Sequence, residues 1–442
     1  MNTADTVPQG IPGFIPEPTD KTETVFKVTA NESVCAVLSY VLAFAYTGIF
    51  IDSQFSRSAY LAVTAILIVA VTELINKNVS RSAESWIWLA CFACAVFSGI
   101  RENGSVWDHD QILLFIHIFA VWWIISRGDV LLEGKSGHLL PLDALNGFLL
   151  IPFSHFFLRI RTLFCSLSRL FSHRERRKDG RLLWTVAAFM IGAFLFFKAT
   201  SLLLSADSGF HDRFLIVSDF VERILDMIAE CIDEIAFVRL VLSIPIGCWL
   251  FGLISGTART DRDTLERERS AAMSFLERIR KVPAKAWAFV IGAFSMMYLA
   301  FFVLQSSYLF GAFTGTLPDG FIVSQYAREG FFELCRVISV NFTLLWFVTR
   351  MTSVETKRSP LFLVPCIVLL AESLIFSAIA FSKLYLYIHC FGFTPLRLQS
   401  TWLVCLCFAG CVLWIFSLLT GKSCFRKWMI FGAISLSALC LI

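Results

Sequence analysis

Ionisable side chains set within apolar sequence mark where this chain could do chemistry. In the run from Gln325 to Asn341, Glu329, Glu333 and Arg336 recur at four- and three-residue spacing, which is one face of a helix. Such a group inside a bilayer costs about 2.5 to 3.5 kcal/mol, so it needs a partner or a purpose. Lys198 and Glu372, in two other apolar runs, and Asn341 extend the set. At ~1.5 Å of rise per residue, Lys198 and Arg336 fall about 9 Å below one membrane surface, and Asn341 and Glu372 share a level near the midplane. The chemistry open to these groups is capture of a polar or anionic ligand by Lys198, Arg328 and Arg336. Glu333 and Glu372 would then act as charge partners, with Asn341 donating to Glu372. An enzyme built here would use Asp207 or Glu333 as general base on a lipid-linked substrate. The plainer alternative is a satisfied polar network that fixes helix register.

Other chemistry has no signature. There is no G-x-S-x-G elbow, HExxH, P-loop or dinucleotide fingerprint. The seven histidines are scattered, and Cys91-Phe-Ala-Cys94 lies inside an apolar run without a second ligand pair, so packing is the reading there. Neither a metal nor a cofactor is expected.

The elements that must position these groups are membrane helices. Of 442 residues, 57% are hydrophobic and 16% charged, against roughly 25% charged in soluble domains; the mean hydropathy is +0.71. Apolar runs long enough to cross a core of roughly 30 Å predict an all-α polytopic membrane helix bundle of about eleven spans. They lie near 33–51, 59–75, 84–100, 111–126, 182–204, 236–256, 287–310, 330–350, 360–382, 398–420 and 425–442. The loops after spans two, four, six, eight and ten hold 26 Lys and Arg, against 7 on the other side. The first set is therefore expected in the cytoplasm, with the N-terminus inside, the C-terminus outside and the site facing outward in a cell (inner) membrane. The net charge of +4 follows from this asymmetry and gives no reason to expect nucleic acid.

Four regions follow: a polar, Pro-rich tail over 1–32, read as disordered, four spans over 33–126, a connection over 127–181, and seven spans over 182–442. Two amphipathic interfacial helices are expected. One covers 153–173, with Arg159 and Arg169 toward lipid headgroups. The other follows Phe210 on the outer side, with an acidic face from Asp212 to Asp233. The loop 257–286 reads as a charged helix capped by Thr264, available to a cytoplasmic partner. Glu73 is expected to snorkel beside Lys77, and Cys231 and Cys390 form a candidate disulfide on the outer side.

Several ordered motifs stand out: Leu203-Leu-Ser-Ala-Asp-Ser-Gly-Phe210, Gln305 with Tyr308-Leu-Phe-Gly311, Tyr326-Ala-Arg-Glu-Gly-Phe-Phe-Glu-Leu334, Lys383-Leu-Tyr-Leu-Tyr-Ile388, Phe391-Gly-Phe-Thr394 and Arg397. Over roughly 140–442 the chain resembles a bacterial multi-pass family catalogued as a domain of unknown function, the 4153/4173 group. Lys383 stands where such proteins often carry Arg. The resemblance implies an inner-membrane protein, transfers no reaction, and marks Asp207, Gln305, Tyr326, Arg328, Gly330, Glu333, Tyr387 and Arg397 as motif positions. Gly330 also has a physical reading, since a residue without Cβ admits another group at close range.

Three functions fit these observations. One is a transporter-like or lipid-handling protein whose partners are membrane lipids and a small polar or anionic ligand; the second is a membrane transferase. The third is a non-catalytic sensor or scaffold.

Overall fold

The computed structural model describes residues 26, 28–51, 56–101, 105–171, 192, 234–314, 323–353 and 356–442. Every regular element among them is a helix. Nine are long and apolar enough to cross a membrane: α1 (Ala30–Ile51), α2 (Arg57–Ile75), α3 (Ala83–Ile100), α4 (His109–Arg127), α8 (Glu234–Arg259), α10 (Ala284–Leu304), α12 (Val323–Met351), α13 (Pro360–Phe391) and α14 (Pro395–Thr420). The expected span over 182–204 and the outer amphipathic helix lie outside the described residues. The expected last span is the shorter α15 (Phe425–Cys440), of 16 residues. Helix ends follow local chemistry. Asp108 and Gln111 close a capping box on α4, Ser82 accepts from the Ser85 N–H at the start of α3, and Gly421 ends α14 with φ of 71°.

Ion pairs gather the helix ends that carry the basic loops. Arg127 and Arg81 both reach Glu73, which is therefore paired across elements rather than snorkelling beside Lys77. Arg259 pairs with Glu32 at 2.7 Å, and Arg426 with Glu84 at 2.8 Å. This basic end is where α2, α4, α8, α12 and α14 finish. Two apolar cores result, one among α1–α4 and α8, the other among α10, α12, α13 and α14. Helix α15 docks on α3 and joins them.

Between α4 and α8 the chain forms a bent helical segment of α5 (Leu140–Leu145), a π-helical turn (Asn146–Leu150), α6 (Ile151–Ser154) and α7 (Leu158–Phe171). Its two parts are bent by 40°. Its start is held by the Leu132 N–H donating to Asp143 at 2.9 Å, and its finish by Arg169 donating to the Val28 carbonyl at 2.7 Å. Its middle lies against glycines of α8. A Cβ at Gly252 would meet the Pro152 oxygen at 2.7 Å, and one at Gly247 would meet Arg159 at 2.5 Å. Gly247 is twelve residues, or ~18 Å, from the end of α8.

The placement of Arg159 corrects its expected headgroup-facing role, while Arg169 is exposed. Arg159 is 3% exposed and donates to the Ala36 and Ile244 carbonyls, while Phe157, Ile160 and Leu167 are 50% exposed or more. In a bilayer the polar stripe turns inward, where open carbonyls need donors, and lipid takes the apolar stripe.

Two smaller expectations also change. The charged helix α9 (Arg262–Ile279) starts after Asp261 rather than Thr264. Cys390 is a free thiol; Cys231 lies outside the described residues.

Candidate functional site

The second core carries polar groups at three depths. Helix α12 decides which of them meet, because its buried stripe runs through Tyr326, Gly330, Leu334, Ile338, Asn341, Leu345 and Val348 at helical spacing. Glu333 and Arg336 fall on the other side and are exposed. Asn341, five residues beyond Arg336, points the opposite way.

At the far end from the basic loops, four motif residues converge. Tyr308 comes from α11 (Ser306–Thr314), Tyr326 and Gly330 from α12, and Lys383 from α13. The lysine is fully buried, with Nζ 3.6 Å from the Tyr308 ring centre and 4.1 Å from that of Tyr326. The Tyr326 hydroxyl donates to the Tyr308 carbonyl at 2.5 Å, holding the rings edge to face 5.2 Å apart. Gly330 makes room, since a Cβ there would meet Lys383 Cδ at 2.9 Å. Among the described residues the ammonium has no hydrogen-bond acceptor, and the aromatic faces are its partners. Gln305 closes α10, its N–H donating to the Phe301 carbonyl and its own carbonyl accepting from Leu309. Arg397 donates to the Phe391 and Gly392 carbonyls and lies 4.1 Å over Tyr387, tying off the end of α13.

Near the midplane, the Tyr298 hydroxyl donates to Asn341 Oδ1 at 2.7 Å, and Asn341 Nδ2 donates to the Ser373 hydroxyl at 3.0 Å. All three residues are buried. Asn341 therefore gives its amide protons to Ser373, not to Glu372 as expected. Glu372 is 8% exposed, and its Oε2 has no hydrogen-bond partner among the described residues.

At the basic end, a cleft of about 350 Å³ opens between the halves. Its rim holds Arg350 of α12, Lys357 and Arg358 of the turn Thr356–Arg358, and His138 from the connection after α4. Its shaft is walled by Phe342, Trp346, Trp414 and Trp428. Gly410 lets the last ring in, because a Cβ there would meet Trp428 Nε1 at 2.9 Å; that nitrogen donates to the Leu406 carbonyl. His138 stacks on Phe425 at 6.4 Å, so both halves contribute to the wall. Phe342 is nine residues and Gly410 ten from the ends of their helices, which takes the shaft ~13 to 15 Å inward. None of the described lining residues is acidic. Burial and the neighbouring Arg280 and Arg350 push the Lys357 ammonium down to about 8. Burial, with Arg350 next in weight, holds the His138 imidazole below its usual range, against an opposing pull from Glu133.

Of the residues singled out in the sequence, Lys198 and Asp207 lie outside the described residues, as does the side chain of Arg328. Glu333, Arg336 and Glu372 form no ion pair among the described residues. Sequence reasoning passed over Tyr298 and Ser373, named Lys383 only as a motif residue outside the polar cluster, and treated Arg350, Lys357 and Arg358 only as orientation charges. Lys383 was legible in principle, since it sits eleven residues after Glu372 and so on the same face of one continuous helix. Groups of three or more His, Cys, Asp or Glu able to hold a metal are absent among the described residues.

A family model described as "Domain of unknown function (DUF4153)" matches residues 34–442. No curated protein and no solved structure matches the chain.

Proposed function

We propose that this chain, which belongs to the family described as domain of unknown function DUF4153, is a lipid-handling protein. It would hold an anionic amphiphile of the cytoplasmic leaflet in the cleft at its basic end. The multi-pass character is given by the nine apolar helices. The lipid reading is carried by one observation, a rim of Arg350, Lys357 and Arg358 above a shaft of aromatic rings. A headgroup phosphate meets cations where the helices end, and its chain lies along Phe342, Trp414 and Trp428 at the depth of the acyl region. The positive-inside bias puts that end in the cytoplasm.

The test is native mass spectrometry of the purified protein. Anionic lipid should be retained by the wild type and by K427Q, which removes an exposed cation of the same end from outside the cleft, and lost from R350Q/K357Q. Equal retention by all three refutes the reading.

A second reading rests on Glu372, a midplane carboxyl with one oxygen unpartnered among the described residues. Such a group is suited to carrying charge or a proton across the membrane. Ligand flux in vesicles that survives E372Q unchanged would remove it.

A further inference from the structure

We infer that the cleft selects an amphiphile ending in a phosphate monoester or diphosphate, a head with two or more negative charges and unesterified terminal oxygens. This rests on the lipid-handling reading above and narrows it to a substrate class.

Charge count is the first argument. Two arginines and Lys357 line the rim without an acidic residue among the described lining groups, and Arg280 stands close enough to act on Lys357. Glu133 is an acid whose field reaches both His138 and Arg350, and it offsets part of this charge from outside the lining. A phosphodiester brings one negative charge and leaves most of this field unbalanced, whereas a monoester brings about 1.5 to 2 at neutral pH.

Donor geometry is the second. Arg350 Nε is buried without a hydrogen-bond partner, and no ion pair among the described residues engages Arg350, Lys357 or Arg358. Guanidinium groups bind best to two oxygens at once. A terminal phosphate offers three free oxygens to donors arriving from different elements; a diester offers two. The Ser417 and Ser423 residues line the same space, and their hydroxyls can serve the remaining oxygens; the Thr349 hydroxyl there already donates to the Leu345 and Trp346 carbonyls.

Lys357 agrees with both. Crowded by cations, it gives up its proton near pH 8, and a dianion beside it reverses that pressure.

The experiment uses the intact chain in detergent micelles, with the ligand-induced change in its tryptophan fluorescence as the readout and a W346F/W414F/W428F variant showing which part of that change comes from the cleft. The probes are dodecyl phosphate, its methyl diester, dodecylphosphocholine and inorganic phosphate. Dodecyl phosphate should bind at least about tenfold tighter than the diester, a difference worth about 1.4 kcal/mol. That preference should shrink below pH 6, as the monoester becomes a monoanion, and should fall in K357Q and in R358Q. Both sites lie on a surface turn, and melting curves confirm folding. Equal binding of monoester and diester overturns the inference and leaves the lipid reading standing. Binding of every alkyl probe that is indifferent to K357Q and R358Q overturns both. Inorganic phosphate binding as tightly as dodecyl phosphate also overturns both, because the ligand is then a free anion.

Discussion

Helix α15 forms one wall of the cleft through Phe425 and Trp428, and a single ion pair ties its start to the first half. Arg426 donates to Glu84 Oε2 through Nε at 3.1 Å and Nη2 at 2.8 Å. Glu84 is 3% exposed, and its Oε1 accepts from Trp88 Nε1 and the Ser136 N–H. Replacing Arg426 by Met leaves a buried carboxylate with those two donors only. Breaking a fully buried pair costs about 3 to 5 kcal/mol. The Arg426 side chain is 41% exposed, and an exposed pair is worth about 1 kcal/mol or less, so about 1 to 2 kcal/mol is the expected loss. E84Q should cost at least as much, because its amide group turns a donor toward the guanidinium. The coupling energy comes from a double-mutant cycle of E84Q, R426M and the pair, unfolded in mixed anionic and non-ionic detergent. It should be about 1 to 2 kcal/mol. R426M should also weaken alkyl phosphate binding severalfold, although Arg426 does not line the cleft. Additive losses, with coupling below about 0.3 kcal/mol, would refute the claim that this pair positions the wall.

Three further outcomes are expected. G330A should be destabilised by the clash with the Lys383 stem, and K383M, which shortens the boxed side chain and removes its charge, should recover much of the loss in thermal melts. Y298F, which deprives Asn341 Oδ1 of its donor, should cost about 1 kcal/mol, in line with hydrogen bonds between membrane helices, and the same substitution in an N341A background should cost less. Stability should also depend on pH through Lys357, whose folded value of about 8 lies below its ordinary 10.5. Between those values the unfolded chain binds more protons, so unfolding free energy rises from pH 8 to 10.5 and is flat below 8 for this group. K357M should abolish that slope in detergent unfolding curves.

The sequence made the helices legible because apolar run length is a strong signal, and eight expected spans from 33–51 to 398–420 coincide with helices extended at one or both ends. Tertiary partners were harder to read. Glu333 and Arg336 looked like an inward face because they are charged, yet α12 buries the stripe through Leu334, Ile338 and Asn341 instead. Lys383 was named as a motif residue but left outside the membrane cluster because span nine was cut at residue 382, while α13 continues to Phe391. Arg159 was assigned to headgroups from amphipathicity alone, a pattern that carries no sign in lipid. The cleft could not be seen in advance, since its rim and shaft join His138 to residues more than 200 positions later.

The buried arginine of α7 also bears on how the chain is made. One of its acceptors, Ala36, is synthesised before it, but the other, Ile244, emerges 85 residues afterwards. Until α8 has left the ribosome, Arg159 lacks that acceptor. Burying it unaided in a bilayer would cost about 2.5 to 3.5 kcal/mol, a cost that favours seating α7 only after the later helix is made.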